Sequence, residues 1–277
     1  MSHRPTDWRE AHRQAVELGE SHYTDPDTGL HVFTSLGLER RGNCCGSGCR
    51  HCPFQHDSME VGRRATWAQQ PVWLTDARPP DNPVDLLFWS GGKDSLLAYR
   101  ALVREGVRPA ALLTTFDAAT RVVAHQDVRL NQIVRQAEHL GVPLLGVPLH
   151  PGHPYVDRIH EAVGLVPRVA RFVFGDLHLE HIREWRDTTF RDLADELGAT
   201  LHFPLWGVPY QELIADLEAS GVPCEVSAVT EPAEGVVEVG DWFDREMIER
   251  LPDRIDPFGE NGEFHTLAKV WRRPREE

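Results

Sequence analysis

The six residues Ser90 to Ser95, with the sequence SGGKDS, are the segment of this chain best suited to hold an anion. They follow an apolar run at 84–88 and precede an amphipathic stretch with leucines at 96, 97 and 102, which predicts a turn between a strand and a helix. Glycines at such a turn leave backbone N–H groups facing outward, and the helix adds the positive end of its dipole. Lys93, one of only two lysines in the chain, supplies a compact positive charge. The segment therefore predicts a phosphate-binding loop.

Four of the five cysteines, Cys44, Cys45, Cys49 and Cys52, lie within nine residues of one another. The Cys49-x2-Cys52 spacing is typical of zinc and iron–sulfur sites, and the intervals from Cys45 suit three corners of a [4Fe–4S] cluster. Cys44 or His51 is the candidate for the fourth position. A disulfide framework is disfavoured in a long chain whose polar N-terminal segment lacks a secretion signal. We predict a site for zinc or a [4Fe–4S] cluster, structural or catalytic, with a reactive thiol cluster as the alternative.

Three carboxylates stand where acid–base chemistry is expected. Asp176 follows an apolar run at 171–174, and ligands of parallel α/β sheets bind beyond the carboxyl ends of the strands. Glu260 and Glu263 share a turn that contains glycine and asparagine, with His265 beside it. Such a group can position an amine, act as a base or hold a metal, while a solvated acidic turn is the alternative. The residues alone leave both interpretations of Glu260 and Glu263 open, and Asp176 is the stronger candidate for a catalytic residue.

The elements that must position these residues alternate from Val84 onward. Strands are predicted at 84–88, 110–115, 143–148, 171–174 and 200–203, and helices at 95–105, 126–140, 155–165, 179–197 and 210–220. This order predicts an α/β fold, a Rossmann-like parallel five-stranded sheet with helices on both faces. Valine-rich stretches at 224–229 and 236–239 predict a small α+β C-terminal region.

The changes in composition divide the chain into four parts. Residues 1–61 form a small Cys-rich, metal-binding N-terminal module, and residues 62–83, rich in proline, arginine and polar residues, form a linker. Residues 84–205 form the domain that carries the phosphate-binding loop, and residues 206–277 form a C-terminal substrate-binding region.

Charge and hydropathy limit the partners of this chain. The net charge of −14 disfavours a broad nucleic-acid surface. No apolar run reaches the roughly 18 residues of a membrane span, and the N-terminal segment lacks a targeting signal. We expect a cytoplasmic protein with no membrane partner.

The SGGKDS loop resembles the PP-loop of the N-type ATP pyrophosphatases and differs from the Gly-x4-Gly-Lys-Ser/Thr loop of other NTPases. The resemblance implies an adenine nucleotide alpha hydrolase-like fold that cleaves ATP between the α and β phosphates. It also implies that Lys93 and Asp94 take part in catalysis, that Asp94 helps to place Mg²⁺, and that Thr114 and Thr115, at the end of the second strand, lie where adenine is contacted. The ATP-binding residues implied by the resemblance are Ser90, Gly91, Gly92, Lys93, Asp94, Ser95 and Thr114.

Motifs further along the chain resemble the diphthine–ammonia ligase family, over roughly residues 84 to 265. These motifs are Gly175-Asp176, Arg183 with Arg186, Pro204-Leu205-Trp206, and Gly259-Glu260-Asn261-Gly262-Glu263. The resemblance implies an ATP-dependent, AMP-forming ligase that adenylates a carboxylate-bearing substrate for amidation, with ammonia as co-substrate. It also favours catalytic roles for Glu260 and Glu263, so we predict that Asp176, Glu260 and Glu263 are catalytic.

Two alternatives to the ligase remain. The first is an iron–sulfur-dependent PP-loop sulfur transferase acting on a nucleobase, as in tRNA, or on a small molecule. The second is a non-catalytic sensor of nucleotides or redox state. The N-terminal module resembles small bacterial Cys-rich modules that end in Cys-Arg-His-Cys-Pro, and this resemblance implies no activity.

Overall fold

A computed structural model describes residues 7–26, 28–54, 56, 58–60, 70–106, 110–123 and 126–272. The chain divides into two compact units, Met1–Trp67 and Ala68–Glu277, and each is described by itself. The predicted module boundary at residue 61 and the first part of the predicted linker, 62–69, lie outside the described residues.

The described residues of the first unit form two short helices and one hairpin. Its elements are α1 (Trp8–Glu17), β1 (His22–Thr24), β2 (His31–Phe33) and α2 (Ser35–Glu39). β1 and β2 are antiparallel, and the Asp7 side chain caps α1 by accepting from the N–H groups of Arg9 and Glu10. Ala11, Ala15 and Tyr23 form the buried cluster of this unit, so it has little apolar surface to bury.

The second unit alternates strands and helices. Its helices are α3 (Lys93–Glu105), α4 (Leu130–Leu140), α5 (Tyr155–Val163), α6 (Glu180–Leu197), α7 (Tyr210–Ser220) and α8 (Arg245–Arg250). Its strands are β3 (Val72–Trp73), β4 (Val84–Phe88), β5 (Ala110–Asp117), β6 (Val122–Val123), β7 (Val128–Arg129), β8 (Leu144–Leu149), β9 (Val169–Val173), β10 (Thr200–His202), β11 (Cys224–Val229), β12 (Trp242–Phe243) and β13 (Phe264–Ala268). No helix among the described residues combines the length and apolarity that a membrane crossing requires.

Five parallel strands form the centre of the main sheet, in the order β10-β9-β4-β5-β8. This arrangement confirms the predicted parallel five-stranded sheet. β3, from the predicted linker, adds an antiparallel edge strand beside β8, and the β6–β7 hairpin extends from the end of β5. The chain order reverses between β4 and β9, which places a crevice beyond the carboxyl ends of these two strands.

Helices cover both faces of the sheet, because its central strands are apolar on both sides. Leu87 of β4 and Leu112 of β5 belong to one buried core, while Leu86 and Leu113 belong to the other. Successive side chains of a strand point to opposite faces. The continuous apolar runs in the sequence therefore correspond to strands that are buried on both faces.

The C-terminal region forms a second sheet in the order β12-β11-β13, with antiparallel pairing. The valine-rich stretch at 224–229 is a strand, as the pattern indicates, whereas residues 236–239 form turns. Phe264 and Leu267 of β13 join the core on one face of the main sheet. This region is therefore part of the same compact unit as the phosphate-binding loop.

One predicted helix begins later than the sequence pattern indicates. The expected start at residue 126 lies between β6 and β7, within their hairpin, and α4 starts only at Leu130. Asp127 has a φ of +48° and Arg121 a φ of +59°, a left-handed conformation that a helix interior does not contain. The hairpin therefore contains the residues 126–129 that the apolar pattern assigns to the helix.

Candidate functional site

The Ser90–Ser95 loop turns from β4 into α3 as predicted, and Gly91 makes this turn possible. Gly91 has a φ of +85°, which strongly favours glycine. A Cβ atom at this position would collide with Ile133 Cδ1 and lie 2.7 Å from Gln136 Oε1. Both the backbone angle and the packing therefore require glycine here.

A buried amide holds the loop against the C-terminal region. The Gln136 Nε2 group donates hydrogen bonds of 2.8 Å to the carbonyl oxygens of Gly91 and Ala268, and its Oε1 accepts from Trp89 Nε1. The Ala268 N–H also donates to Gly91 O, and the Lys93 N–H donates to Thr266 Oγ1 at 3.0 Å. The loop is thus attached to α4 and β13.

Gly175 brings the end of β9 against the start of α3. A Cβ atom at Gly175 would lie 3.0 Å from the Asp94 carbonyl oxygen and 3.3 Å from the Ser95 nitrogen. Glycine permits this close approach. It places Asp176, the next residue, beside the loop.

A pocket of about 580 Å³ lies beyond the carboxyl ends of β4, β5 and β9. Five of the predicted site residues line it: Ser90, Asp94, Ser95, Asp176 and Glu260. The rest of its lining is Phe88, Trp89, Leu113, Thr115, Val123, Gln126, Leu149, Tyr155, Phe174, Gly175, Ile182, Trp185 and Arg186. The sequence motifs therefore converge on one cavity at the point where the strand order reverses.

Three carboxylates of this pocket affect one another electrostatically. Burial raises the pKa of Asp94, and the charge of Asp176 raises it further. Burial and then the charge of Asp94 raise the pKa of Glu260 to about 8. Asp176 is paired with Arg186, whose Nε lies 3.1 Å from Asp176 Oδ2. A cation bound among these groups would relieve their mutual repulsion.

Lys93 does not line the pocket in this structure. Its ammonium group lies 2.8 Å from Asp94 Oδ2 and 5.3 Å from the ring centroids of both Phe243 and Phe258. The side chain is buried, and these aromatic faces favour its positive charge. Lys93 is thus connected to the pocket only through its ion pair with Asp94, which lines the pocket.

Four other predicted residues, Gly91, Gly92, Thr114 and Glu263, also lie outside the pocket lining. Thr114 is buried on the face of β5 opposite Leu113 and Thr115, which do line the pocket. Glu263 is also buried, and its Oε1 accepts from the Asp256 N–H at 2.9 Å and from Asn261 Nδ2. Adenine contact by Thr114 and catalysis by Glu263 remain predictions that this placement does not support.

Asp256 holds the turn that presents Glu260. Its Oδ1 accepts from the N–H groups of Phe258 and Glu260, and its Oδ2 accepts from the Tyr210 hydroxyl at 2.8 Å. With Glu263 on the inside of the turn, the Glu260 side chain is the one directed to the pocket. The two glutamates of the motif therefore have different surroundings.

The sequence motifs give little indication of three other residues that line the pocket. Gln126 follows the β6 strand, which no periodicity predicts, and Tyr155 begins α5 directly after Pro154. Trp185 is 45% exposed and lies next to Arg186 on α6. In the sequence, the neighbouring arginines of the helix are what indicates that Trp185 lies near a binding site.

The cysteines of the first unit lie in two close pairs. The Sγ atoms of Cys45 and Cys49 are 3.4 Å apart, and those of Cys44 and Cys52 are 3.9 Å apart. No group of three or more His, Cys, Asp or Glu side chains in the described part of the chain is already arranged to hold a metal ion. The zinc or [4Fe–4S] site with these four ligands therefore stays a prediction.

His51, the candidate for a fourth ligand, contacts side chains of α1 and β1. Its ring stacks on His12 with 3.7 Å between centroids, and its Nε2 lies 2.9 Å from the Tyr23 hydroxyl oxygen. These contacts join the cysteine segment to α1 and β1.

The sheet order, the loop at the point where that order reverses and the carboxylates beside it form the arrangement that the resemblance to PP-loop enzymes implies. Residues 85–196 match the model of the diphthamide synthase N-terminal domain, which confirms the resemblance for the loop, for Gly175-Asp176 and for Arg183 with Arg186. The motifs at 204–206 and 259–263 lie beyond the matched residues. Residues 11–58 match a family of unknown function, DUF5522, and this segment contains the cysteine cluster.

One solved structure offers a further comparison. It is a crystal structure described as a predicted subunit of tRNA methyltransferase from Methanocaldococcus jannaschii DSM, with 16% sequence identity and a TM-score of 0.35. The match covers 71% of the present chain and 100% of that chain. The fold assignment rests on the strand order described above and not on this similarity.

Proposed function

We propose that this protein is an ATP-dependent, AMP-forming ligase that activates a carboxylate for amidation by ammonia. The observation that carries the proposal is the convergence of the Ser90–Ser95 loop, Asp176 and Glu260 on one pocket. The match of residues 85–196 to the diphthamide synthase N-terminal domain supports the use of ATP. The carboxylate acceptor and ammonia as the nucleophile are part of the proposal and are not given by this match.

The loop and the carboxylates have the properties that a magnesium–ATP complex requires. The loop and the N-terminus of α3 would hold the phosphates. Asp94 Oδ1 is buried and has no hydrogen-bond partner among the described residues, so it is available to a cation. Oxygen ligands of this kind suit Mg²⁺. Asp94, with Asp176 nearby, would hold the ion, whose charge would stabilise the pyrophosphate leaving group.

The proposed reaction has two steps. A carboxylate oxygen of the substrate attacks the α-phosphorus of ATP, and pyrophosphate leaves with the electron pair of the broken P–O bond. Ammonia then attacks the acyl carbon, AMP leaves, and the nitrogen loses a proton. Glu260 is suited to take this proton, because its pKa of about 8 is close to the operating pH.

The side of the pocket formed by α6 suits the acceptor. Arg186 has its guanidinium 4.7 Å from the Phe174 ring centroid and pairs with Asp176, so its plane is fixed. A fixed guanidinium can bind a carboxylate through two parallel hydrogen bonds. We place the acceptor carboxylate near Arg186, with Trp185 and Tyr155 contacting the rest of the molecule.

The test is a product assay with magnesium–ATP, ammonium and a panel of carboxylic acids. We expect AMP and pyrophosphate to form only when a suitable acid is present. Lys93→Met keeps the apolar stem but removes the charge, and should lower AMP formation by about 100-fold or more. The control is Lys269→Met, at the other lysine of the chain. Lys269 pairs with Glu225 outside the pocket, so this variant should keep a rate near that of wild type.

Other outcomes would contradict the ligase proposal in specific ways. Formation of ADP and phosphate would show cleavage at the wrong bond. Incorporation of sulfide in place of ammonia would favour the sulfur transferase. ATP binding without AMP formation across the whole panel would favour the sensor.

A further inference from the structure

The two cysteine pairs of the first unit have the spacing of thiolates that share a metal ion. With Zn–S bonds of about 2.3 Å, two sulfurs of a tetrahedral zinc site are about 3.8 Å apart. The two observed Sγ–Sγ distances, 3.4 and 3.9 Å, lie on either side of this value. A disulfide needs about 2.05 Å. Each of the pairs Cys45–Cys49 and Cys44–Cys52 thus has the separation of two thiolates along one edge of a zinc tetrahedron.

Backbone N–H groups around the cysteines point at the sulfur atoms. The Gly46 N–H donates to Cys44 Sγ at 3.3 Å. The backbone of Ser47 donates to Cys45, and the backbone groups of Phe54 and His56 donate to Cys52. Hydrogen bonds of this kind orient metal-bound thiolates and stabilise their negative charge. They are independent of the spacing and indicate the same type of site.

The backbone of this segment is shaped to bring the donors into place. Gly46 and Gly48 have φ values of +68° and +77°, and His56 has a φ of +62°. The left-handed region is uncommon for histidine. The His56 conformation is held by burial and by a 2.8 Å hydrogen bond between its Nε2 and the Cys49 carbonyl oxygen. Both glycines lie between Cys45 and Cys49 in the sequence and let the chain turn so that these two sulfur atoms meet.

The other donors near the cluster already have partners. His51 stacks on His12 and contacts Tyr23, and His56 contacts the Cys49 carbonyl, so the four sulfurs remain as the ligand set. In a [4Fe–4S] cluster each thiolate binds a different iron atom, whereas each pair here has the spacing of two thiolates on one ion.

We propose that Cys44, Cys45, Cys49 and Cys52 bind one zinc ion in a closed four-thiolate site that stabilises the first unit. Arg50, between the ligands, has its guanidinium 2.6 Å from the buried Asp25 carboxylate and donates to the Tyr23 hydroxyl. By holding the cysteines on both sides of Arg50, the ion would keep Arg50 in place for these contacts with β1 and the residue after it. A unit with so small a buried cluster gains much of its folding free energy from such a metal.

The test is metal analysis of the full-length protein. After purification without oxygen, we expect about one zinc ion per chain and no iron or acid-labile sulfide. Replacement of zinc by cobalt should give the intense charge-transfer bands and visible bands of tetrahedral cobalt bound by thiolates. The cobalt spectrum uses the wild-type chain, so the test does not depend on the folding of a variant.

Variants locate the site. Cys45→Ser and Cys52→Ser should each lower the zinc content at least about tenfold after dialysis against a weak chelator. Two controls should keep the full zinc content: His51→Ala, which removes the alternative ligand, and Cys224→Ala, the fifth cysteine, buried in the second unit. Stoichiometric iron with sulfide, absence of any metal, or a cobalt spectrum without thiolate bands would overturn the proposal. Full zinc retention in both cysteine variants would overturn it as well.

Discussion

Glu260 and Glu263 show how one motif gives two carboxylates different properties. Glu260 lines the pocket with Asp94 and Asp176, and burial together with their charges makes its ionisation unfavourable. Glu263 lies inside the turn and accepts from the Asp256 N–H. A carboxylate with a raised pKa suits proton transfer, while one that accepts backbone hydrogen bonds suits a structural role.

The raised pKa of Glu260 predicts a pH-dependent difference in stability. Its pKa is about 8 in the folded protein and about 4.5 in the unfolded chain, so the folded state binds this proton more tightly. The contribution to the free energy of unfolding is therefore complete below about pH 4.5 and is lost as the pH rises through about 8. At about 1.4 kcal/mol per pKa unit, the loss amounts to a few kcal/mol.

Urea unfolding of wild type and Glu260→Gln between about pH 5 and about pH 8.5 measures this loss. Glutamine stays neutral, so the variant should gain stability relative to wild type as the pH rises. Glu234→Gln, at an exposed position, is the control and should follow the wild-type profile. Parallel profiles for wild type and Glu260→Gln would show that Glu260 does not carry the shift.

At the scale of elements, the phosphate-binding loop is held by parts of the chain that are distant in sequence. Gln136 of α4 connects Gly91, Ala268 and Trp89 through three buried hydrogen bonds. Thr266 of β13 accepts from the Lys93 N–H. The C-terminal region therefore contributes to the shape of the loop as well as to the pocket.

Gln136→Met should weaken this connection. Methionine has a similar size but leaves Gly91 O, Ala268 O and Trp89 Nε1 with fewer buried partners, which should cost about 2–4 kcal/mol in the free energy of unfolding. ATP affinity should fall as well, because the loop loses its support. Denaturant unfolding and ATP titration measure the two effects.

Gln132→Met is the matched control, since it makes the same change on a more exposed part of α4. It should change stability by less than about 0.5 kcal/mol. Equal effects of the two variants would argue against a specific role for the Gln136 hydrogen bonds.

The sequence predicts those elements whose pattern is local. The run at Val84–Phe88 identifies β4 because a strand buried on both faces is continuously apolar. The two-residue strands β3, β6, β7 and β12 are too short to show a period, so the hairpin before α4 is missed. β13 is likewise defined by its pairing with β11, which lies far away in sequence.

The candidate site divides in the same way. Ser90–Ser95 and Asp176 are predictable because the carboxyl end of a parallel strand fixes their position. Thr114 and Thr115 differ by one position in β5, and the register decides which of them faces the pocket. The choice between Glu260 and Glu263 depends on the hydrogen bonds of Asp256, which no local pattern reveals.

At the scale of the whole molecule, the chain consists of two units with separate cores. The first has one small buried cluster around Tyr23, and the second has two large ones on the faces of its sheet. Units that bury their apolar side chains separately can unfold separately. The proposed zinc site belongs to the first unit, and the proposed ATP site belongs to the second.

Removal of zinc should therefore affect the first unit alone. In hydrogen exchange measured by mass spectrometry, a strong zinc chelator should raise the exchange of peptides from residues 7–54 and leave those from residues 84–105 and 128–272 unchanged. Magnesium–ATP should do the reverse and slow exchange around Ser90–Ser95 and β13, since at about 100 times Kd a ligand adds about 2.7 kcal/mol to the unit that binds it. Cys45→Ser without chelator is the matched control and should reproduce the chelator pattern. Faster exchange in both units after chelation would show that zinc stabilises the whole chain, and no change in either unit would contradict a structural metal site.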